Sequence, residues 1–204
     1  MIYELRTYTL KPGMVAEFEK RWEPMVEGRQ KLSPLGGLWH TEIGPLNEMV
    51  HLWPYESREE RVRIRASAIE QGVWPPDTKD LIVKQRSEIL LPAPFMRPLQ
   101  PAALGKIYEM RTYTYQGGTM PEVLRRWSEA LPRREKLSPL AGAWTSEIGD
   151  LNRFIHLWPY ENLEERGRIR AEAVNSGVWP PKTREFLVSQ ENKILAPASF
   201  SPLH

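Results

Sequence analysis

Cysteine is absent from the 204-residue sequence, and no apolar run approaches the length of about 18 residues that a membrane span requires. The lack of cysteine excludes disulfide frameworks, iron–sulfur clusters, cysteine zinc sites and thiol nucleophiles. Neither sign of charge dominates, because 28 Lys and Arg residues stand against 26 Asp and Glu residues, a formal net charge of +2. This balance predicts that neither nucleic acid nor an anionic membrane surface is the main partner.

Several short motifs are also missing. The sequence has no Gly-x-Gly-x-x-Gly run, Walker loop or Gly-x-Ser-x-Gly elbow, and no His-x-x-His or His-Glu-x-x-His spacing. We therefore predict no dedicated metal site and no resident cofactor. The first residues, Met1 to Arg6, enter a strand-like pattern at once, so we expect no signal or transit peptide and a cytoplasmic location.

The sequence consists of a tandem repeat of one unit. Residues 2–9 return as residues 107–114, and residues 51–56 return as residues 156–161, with an offset of 105 in each case. The match has no gap from Ile2 to Phe95, and about half of the paired positions are identical. The eight tryptophans form four pairs at this offset, namely Trp22 with Trp127, Trp39 with Trp144, Trp53 with Trp158, and Trp74 with Trp179.

Two copies of this length indicate a fused dimer, in which one chain supplies both halves of a two-fold assembly. We predict a first repeat over residues 1–95, a linker over residues 96–105 and a second repeat over residues 106–204. The linker and the residues before it are rich in proline, which is typical of a semi-rigid connection.

Hydrophobic periodicity predicts the order β-α-β-β-α-β within each copy. The predicted elements of the first copy are a strand over residues 2–9, a helix around 15–26, strands over 38–43 and 48–53, a helix from 58 to near 72, a short helix over 77–83 and a strand over 85–91. Ser57 begins a capping box for the second helix. The order is that of a ferredoxin-like α+β unit, whose sheet leaves one face uncovered. Two such sheets pressed together would bury both faces and enclose a barrel interior.

The strand faces suggest a small-molecule site. Val50 and Leu52 are assigned to the helix layer because their face is uniformly apolar. The opposite, mixed face would then point into the barrel, where aromatic walls and a few polar groups are typical of a ligand site. The predicted ligand-binding residues are Glu4, Arg6, Tyr8 and Trp53 in the first copy and Glu109, Arg111, Tyr113 and Trp158 in the second.

His51 and His156 are the predicted catalytic residues, as general bases, because imidazole titrates near neutral pH. A hydrogen-bonded structural histidine and a haem ligand are the alternative interpretations of this pair.

The charged residues also carry two interpretations each. Glu4 and Arg6 form either part of a ligand site or a structural ion pair. Arg61 and Arg65, at positions i and i+4 of a helix, either clamp an anionic substrate or form a solvated face.

Both copies resemble the NIPSNAP domain. The shared motifs are the run from Ile2 to Tyr8 with Pro12-Gly13 after it, the run from His51 to Tyr55, a Gly-Val-Trp turn, and the closing run from Ile89 to Pro92. The resemblance implies the dimeric α+β barrel fold, here with the dimer fused into one chain. That superfamily also holds cofactor-free monooxygenases, haem-degrading and haem-dependent enzymes, and polyketide cyclases.

We consider two hypotheses of different kinds for the function. The first is binding of a small aromatic or apolar molecule in the barrel, with cofactor-free oxygenase or isomerase chemistry as its catalytic form. The alternative is a non-catalytic protein-interaction module with a solid barrel, which would form a further homo-oligomer. NIPSNAP members have no agreed catalytic activity, and animal members are linked to mitochondria as adaptors. Because this sequence is duplicated and no transit segment is expected, we do not carry the mitochondrial role over to it.

Overall fold

The duplication produces two consecutive β-α-β-β-α-β units in the computed structural model, which describes residues 1–177 and 179–204. Val178, in the second Gly-Val-Trp motif, lies outside the described residues. We call residues 1–95 the first half and residues 106–204 the second half.

The elements of the first half are β1 (Ile2–Leu10), α1 (Val15–Gln30), β2 (Gly37–Ile43), β3 (Glu48–Tyr55), α2 (Arg58–Glu70) and β4 (Ile82–Pro92). Those of the second half are β5 (Ile107–Tyr115), α3 (Met120–Arg134), β6 (Gly142–Ile148), β7 (Arg153–Tyr160), α4 (Leu163–Asn175), a short 3-10 turn (Arg184–Phe186) and β8 (Leu187–Pro197). The predicted α+β fold class is confirmed by this order. No helix among the described residues is both long enough and apolar enough to span a bilayer.

The eight strands close into one barrel in the order β1-β3-β2-β8-β5-β7-β6-β4. Within each half the strands pair antiparallel, with the first strand between the third and the fourth. The halves also hydrogen-bond to each other edge to edge, because β2 pairs with β8 and β4 pairs with β6. We call these two junctions the β2–β8 seam and the β4–β6 seam. The two sheets therefore join at their edges as well as sharing an interior.

The barrel interior is filled by an apolar cluster that both halves supply. Its strand members are Tyr3, Leu5, Trp39, Val50, Leu52 and Leu90 from the first half, and Tyr108, Met110, Trp144, Ile155, Leu157 and Leu195 from the second. Leu99 and Leu104 of the linker and Leu203 near the C-terminus pack against this cluster. Residues of the helices are absent from this set and lie in two other clusters, one on the outer side of each half-sheet.

The predicted assignment of the strand faces was wrong. Val50 and Leu52 point into the barrel, whereas His51 and Trp53 lie with the face that the helices cover. The physical reason is that a uniformly apolar face needs no polar partners and can be buried against the apolar cluster of the barrel interior. The mixed face needs charged partners, and the arginines of the helices provide them.

Two local predictions also need correction. β3 continues through Pro54 to Tyr55 instead of ending at Pro54, since β2 pairs no further than Leu52 and Pro54 has only β1 beside it. A missing N–H is tolerated at such an edge position. β4 begins at Ile82, so the short helix predicted over residues 77–83 is replaced by a loop and the start of this strand.

The predicted capping of α2 is confirmed. The Ser57 hydroxyl accepts a hydrogen bond from the backbone N–H of Glu60 at 3.1 Å, and Asn162 does the same for Glu165 at 2.8 Å. Each cap fixes the start of the helix that carries arginines toward the sheet.

Candidate functional site

A fully buried carboxylate lies under the helices of each half and gathers three arginines. Glu4 on β1 accepts hydrogen bonds from Arg6 at 2.7 Å and from Arg61 at 2.6 Å, and Arg65 lies 3.8 Å from its second oxygen. Ser87 on β4 donates to the same carboxylate at 2.6 Å. β1 places Glu4 and Arg6 on one face, and α2 places Arg61 and Arg65 one turn apart, so all four groups converge.

The second half repeats this arrangement around Glu109. Arg111 and Arg166 donate to Glu109 at 2.7 and 2.6 Å, and Arg170 donates at 3.5 Å. Asn192 takes the place of Ser87 and donates at 3.4 Å. The structural ion pair between Glu4 and Arg6 is therefore present. Arg61 and Arg65 of α2 belong to the same charged cluster.

The arginines outweigh the cost of burial at both carboxylates. Burial alone raises the pKa of Glu4, but the hydrogen bonds from Arg61 and Ser87 and the charges of Arg6 and Arg65 lower this pKa to about 2. The pKa of Glu109 is also lowered, since burial is opposed by Arg166, Arg111 and Arg170. Both side chains are thus ionised in the folded protein at neutral pH.

The paired histidines are fixed by the paired tryptophans. The indole N–H of Trp53 donates to Nδ1 of His51 at 2.8 Å, and that of Trp158 donates to Nδ1 of His156 at 2.7 Å. Burial, with a neighbouring arginine charge adding to it, lowers the pKa of both histidines well below its ordinary value, so both rings are neutral. A neutral ring whose Nδ1 accepts a hydrogen bond carries its proton on Nε2.

This tautomer bears on the predicted catalytic role. A general base or a haem ligand needs a nitrogen lone pair, and the one available on each ring already accepts the indole N–H. Nε2 of His51 and His156 is a buried donor with no hydrogen-bond partner among the described residues. The geometry favours the structural alternative for these histidines, and the catalytic role stays a prediction. No group of three potential metal ligands occurs among residues 1–177 and 179–204.

Sequence reasoning missed one pair of arginines. Arg134 on α3 is almost fully buried, where it donates to Ser138 at 2.9 Å and Tyr160 at 3.1 Å and stacks 4.3 Å above the Trp158 ring. No carboxylate bridges to it among the described residues, and burial lowers its pKa. Arg29 repeats the arrangement in the first half. The signal was present in the sequence, since both arginines and their serine and tyrosine partners match at the repeat offset.

A cavity of about 370 Å³ opens beside these groups in the second half, between the sheet, the helices and the segment after Trp179. Its basic lining residues are Arg111, Arg134, Arg170 and Arg184, and its aromatic lining residues are Tyr113, Tyr115, Trp127, Trp158, Tyr160 and Trp179. No carboxylate belongs to the lining in the part of the chain that the structure describes. The volume lies within the range of small-molecule sites.

Four of the five candidate residues of the second half line this cavity, namely Arg111, Tyr113, His156 and Trp158. Glu109 does not, because it lies behind the arginines that it binds. In the first half the corresponding residues Glu4, Arg6, Tyr8, His51 and Trp53 come together in the same way on the helix side of the sheet. None of these ten residues lies in the barrel interior.

Two ferredoxin-like units joined edge to edge, each with arginines and aromatic rings under its helices, define a single-chain dimeric α+β barrel protein. A structure from Fusobacterium nucleatum described as a putative monooxygenase has the same fold, with a TM-score of 0.70 over 97% of this chain and 92% of that one. Its sequence identity is 9%, so the similarity concerns the fold alone.

The chain belongs to the NIPSNAP family, whose model matches residues 3–97 and 108–202. It is 32% identical to the Protein NipSnap homolog of Dictyostelium discoideum over 96% of this chain and 87% of that protein. It is 31% identical to the human Protein NipSnap homolog 3A over 100% of this chain and 86% of that protein. Both alignments span the two halves, so the expectation that the duplication sets this chain apart from animal members was wrong.

Proposed function

We propose that the second half binds a small organic anion with an aromatic or apolar body in the cavity between its sheet and its helices. The observation that carries this proposal is the lining itself, in which four arginines occur with aromatic rings and without a carboxylate. The site therefore differs in place from the predicted one, which lay inside the barrel.

The charge of the surroundings supports an anionic ligand. Glu109 is the carboxylate that contacts Arg111, Arg166 and Arg170, so three guanidinium groups share one negative charge. Arg134 adds a further buried positive charge whose partners are hydroxyl groups and aromatic rings. Burying unpaired charge is costly, and a bound carboxylate would offset that cost through charge-assisted hydrogen bonds.

The aromatic walls define the rest of the ligand. Trp179 contacts both Trp127 and Trp158 edge to face, with ring centroids 4.7 and 5.7 Å apart. Such rings present apolar surface that favours a flat or apolar body. The proposal concerns binding and not catalysis, because the histidine of the cavity has its basic nitrogen occupied by Trp158.

The alternative, a protein-interaction module, has one observation in its favour. It predicts a solid barrel, and the interior is indeed occupied by the apolar cluster of both halves. A filled interior is equally compatible with a ligand that binds under the helices, so the ligand test separates the two functions.

The test compares acids with their neutral amides. Isothermal titration calorimetry would use benzoate, 1-naphthoate and indole-3-acetate beside benzamide, 1-naphthamide and indole-3-acetamide. We expect at least one acid to bind more tightly than its amide. Arg170→Met should weaken that acid about tenfold or more, since a hydrogen bond to a charged group is worth roughly 1.5–3 kcal/mol.

Arg65→Met is the matched control, because Arg65 holds the equivalent position in the first half. It should leave the affinity of the acid unchanged. The proposal is wrong if no acid binds more tightly than its amide, or if both substitutions weaken the acid equally.

A further inference from the structure

One ion pair that is sheltered from water crosses each seam between the two halves. At the β2–β8 seam, Lys193 of the second half contacts Glu48 of the first, and their side chains are 23% and 14% exposed. At the β4–β6 seam, Arg153 of the second half contacts Glu88 of the first, and their side chains are 11% and 4% exposed. Both pairs are sheltered from water, so their charges are screened less than those of surface ion pairs.

The repeat relates these two pairs to each other with their signs reversed. Glu48 corresponds to Arg153 at the offset of 105 residues, and Glu88 corresponds to Lys193. In these two sheltered pairs the first half therefore contributes the carboxylate at both seams, and the second half contributes the cation at both. Both positions are therefore acidic in the first half and basic in the second half.

This pattern decides which surfaces can meet. If a first half paired with another first half, Glu48 would face Glu88 at both seams. If a second half paired with another second half, Arg153 would face Lys193. Like charges brought together in a sheltered interface repel each other strongly, which is a recognised source of specificity.

Neighbouring charges do not remove this discrimination. Arg86 contacts both Glu88 and Asp150 at the β4–β6 seam, but its side chain is 43% exposed and that of Asp150 is 70% exposed. Arg58 contacts Glu147 beside the same seam, and their side chains are 52% and 38% exposed. Pairs that are open to water contribute little. The four sheltered groups therefore carry the main electrostatic preference at the seams.

We propose that these two ion pairs make the seam surface of each half a partner for the other half only, so that the chain closes on itself instead of joining like halves of other copies. The proposal concerns pairing and is independent of the ligand proposed for the cavity.

The sign pattern can be changed without losing either ion pair in the full chain. Glu48→Lys with Lys193→Glu keeps both pairs within the chain, but each half then carries one acid and one cation. Two first halves, or two second halves, become complementary to each other. The matched control reverses all four charges, Glu48→Arg, Glu88→Lys, Arg153→Glu and Lys193→Glu, which keeps both the pairs and the discrimination.

Each protein would be unfolded in denaturant and refolded over a range of protein concentrations, and the products would be measured by size-exclusion chromatography with light scattering. We expect the double variant to form several-fold more multi-chain species at high concentration than the wild type. The fourfold reversal should behave like the wild type. In all three proteins, the first half of one chain can pair equally well with the second half of another chain. Multi-chain species formed in this way are therefore expected at the same level in all three proteins.

Equal amounts of multi-chain species in the double variant and the wild type would overturn the proposal. The proposal would also be overturned if the fourfold reversal formed as many multi-chain species as the double variant, because the distribution of charge signs between the halves would then have no effect. Thermal unfolding of the monomer fraction shows whether each variant folds. If the variant with Glu48→Lys and Lys193→Glu does not fold, a second double variant, Glu88→Arg with Arg153→Glu, makes the same test at the β4–β6 seam.

Discussion

The buried carboxylate of each half is the residue on which the charged cluster depends. Glu4 compensates three guanidinium groups that would otherwise face each other under the helices. An ion pair of this kind is weak evidence for high stability, but removing one partner leaves uncompensated charge and is strongly destabilising. The cluster thus serves the fold, and in the second half it also places arginines beside the cavity.

Acid should weaken the protein through this residue. The pKa of Glu4 falls from an ordinary value of 4.5 to about 2 on folding, so its contribution is fully present above pH 4.5 and is lost as the pH falls toward 2. The loss amounts to roughly 3 kcal/mol, since one unit of pKa corresponds to about 1.4 kcal/mol. Glu4→Gln should be less stable than the wild type at pH 7, and the difference should narrow below pH 5.

Urea denaturation between pH 7 and pH 2 measures this difference. The neutral histidines weaken both proteins below about pH 6.5, and burial, the main cause of their lowered pKa, is common to both proteins. Glu27→Gln, at an exposed position of α1, is the control and should follow the wild type. A constant gap between the Glu4→Gln and wild-type curves would contradict the role given to Glu4.

At the scale of single elements, two glycines show opposite requirements. Gly37 begins β2, and a Cβ at this position would lie 1.9 Å from the ring of Trp39, which is fully buried in the barrel. Gly167 lies within α4, and a Cβ there would meet nothing within 4 Å. One glycine is needed for packing, whereas the other only weakens its helix.

Alanine at these two positions should therefore act in opposite directions. Gly37→Ala forces the Trp39 ring to move and should cost about 1–3 kcal/mol, as overpacked cores do. Gly167→Ala should add roughly 1 kcal/mol, because alanine is the better helix former. The free energies of unfolding in urea give both values, and effects of the same sign would show that the packing of Trp39 is misjudged.

At the scale of the whole molecule, the linker and the C-terminus close one end of the barrel together. The backbone N–H of Ala102 donates to Pro202 at 2.9 Å, and that of Leu104 donates to His204 at 2.7 Å. Leu203 lies between these bonds and is buried against the barrel interior. The connection between the halves is therefore part of the core instead of a free strap.

Shortening Leu203 should destabilise the whole barrel. Leu203→Ala leaves a cavity in a core that both halves share and should cost about 2–4 kcal/mol. Leu151→Ala, at an exposed turn, is the control and should stay within about 0.5 kcal/mol of the wild type. Unfolding should remain a single transition, and a separate transition for one half would show that the halves are independent.

The candidate site was predictable in its members but not in its place. Glu4, Arg6, His51 and Trp53 were recognised because alternation along two strands put them on one face, and the structure brings them together. Alternation along a strand separates the two faces of the sheet. It does not show which face is covered by the helices and which by the other sheet. Arg134 was missed because it contacts Trp158 and Tyr160 from α3, and periodicity along a helix does not show which strand residues it meets.

The sequence by itself determined the duplication, the β-α-β-β-α-β order and the resemblance to the NIPSNAP domain, because these depend on local periodicity and on matching residues. Only the tertiary structure decided which face of each sheet fills the barrel, where the cavity opens and which charges meet across the seams. These features arise from contacts between segments far apart in the chain, and burial and charge pairing there are properties of the assembled whole.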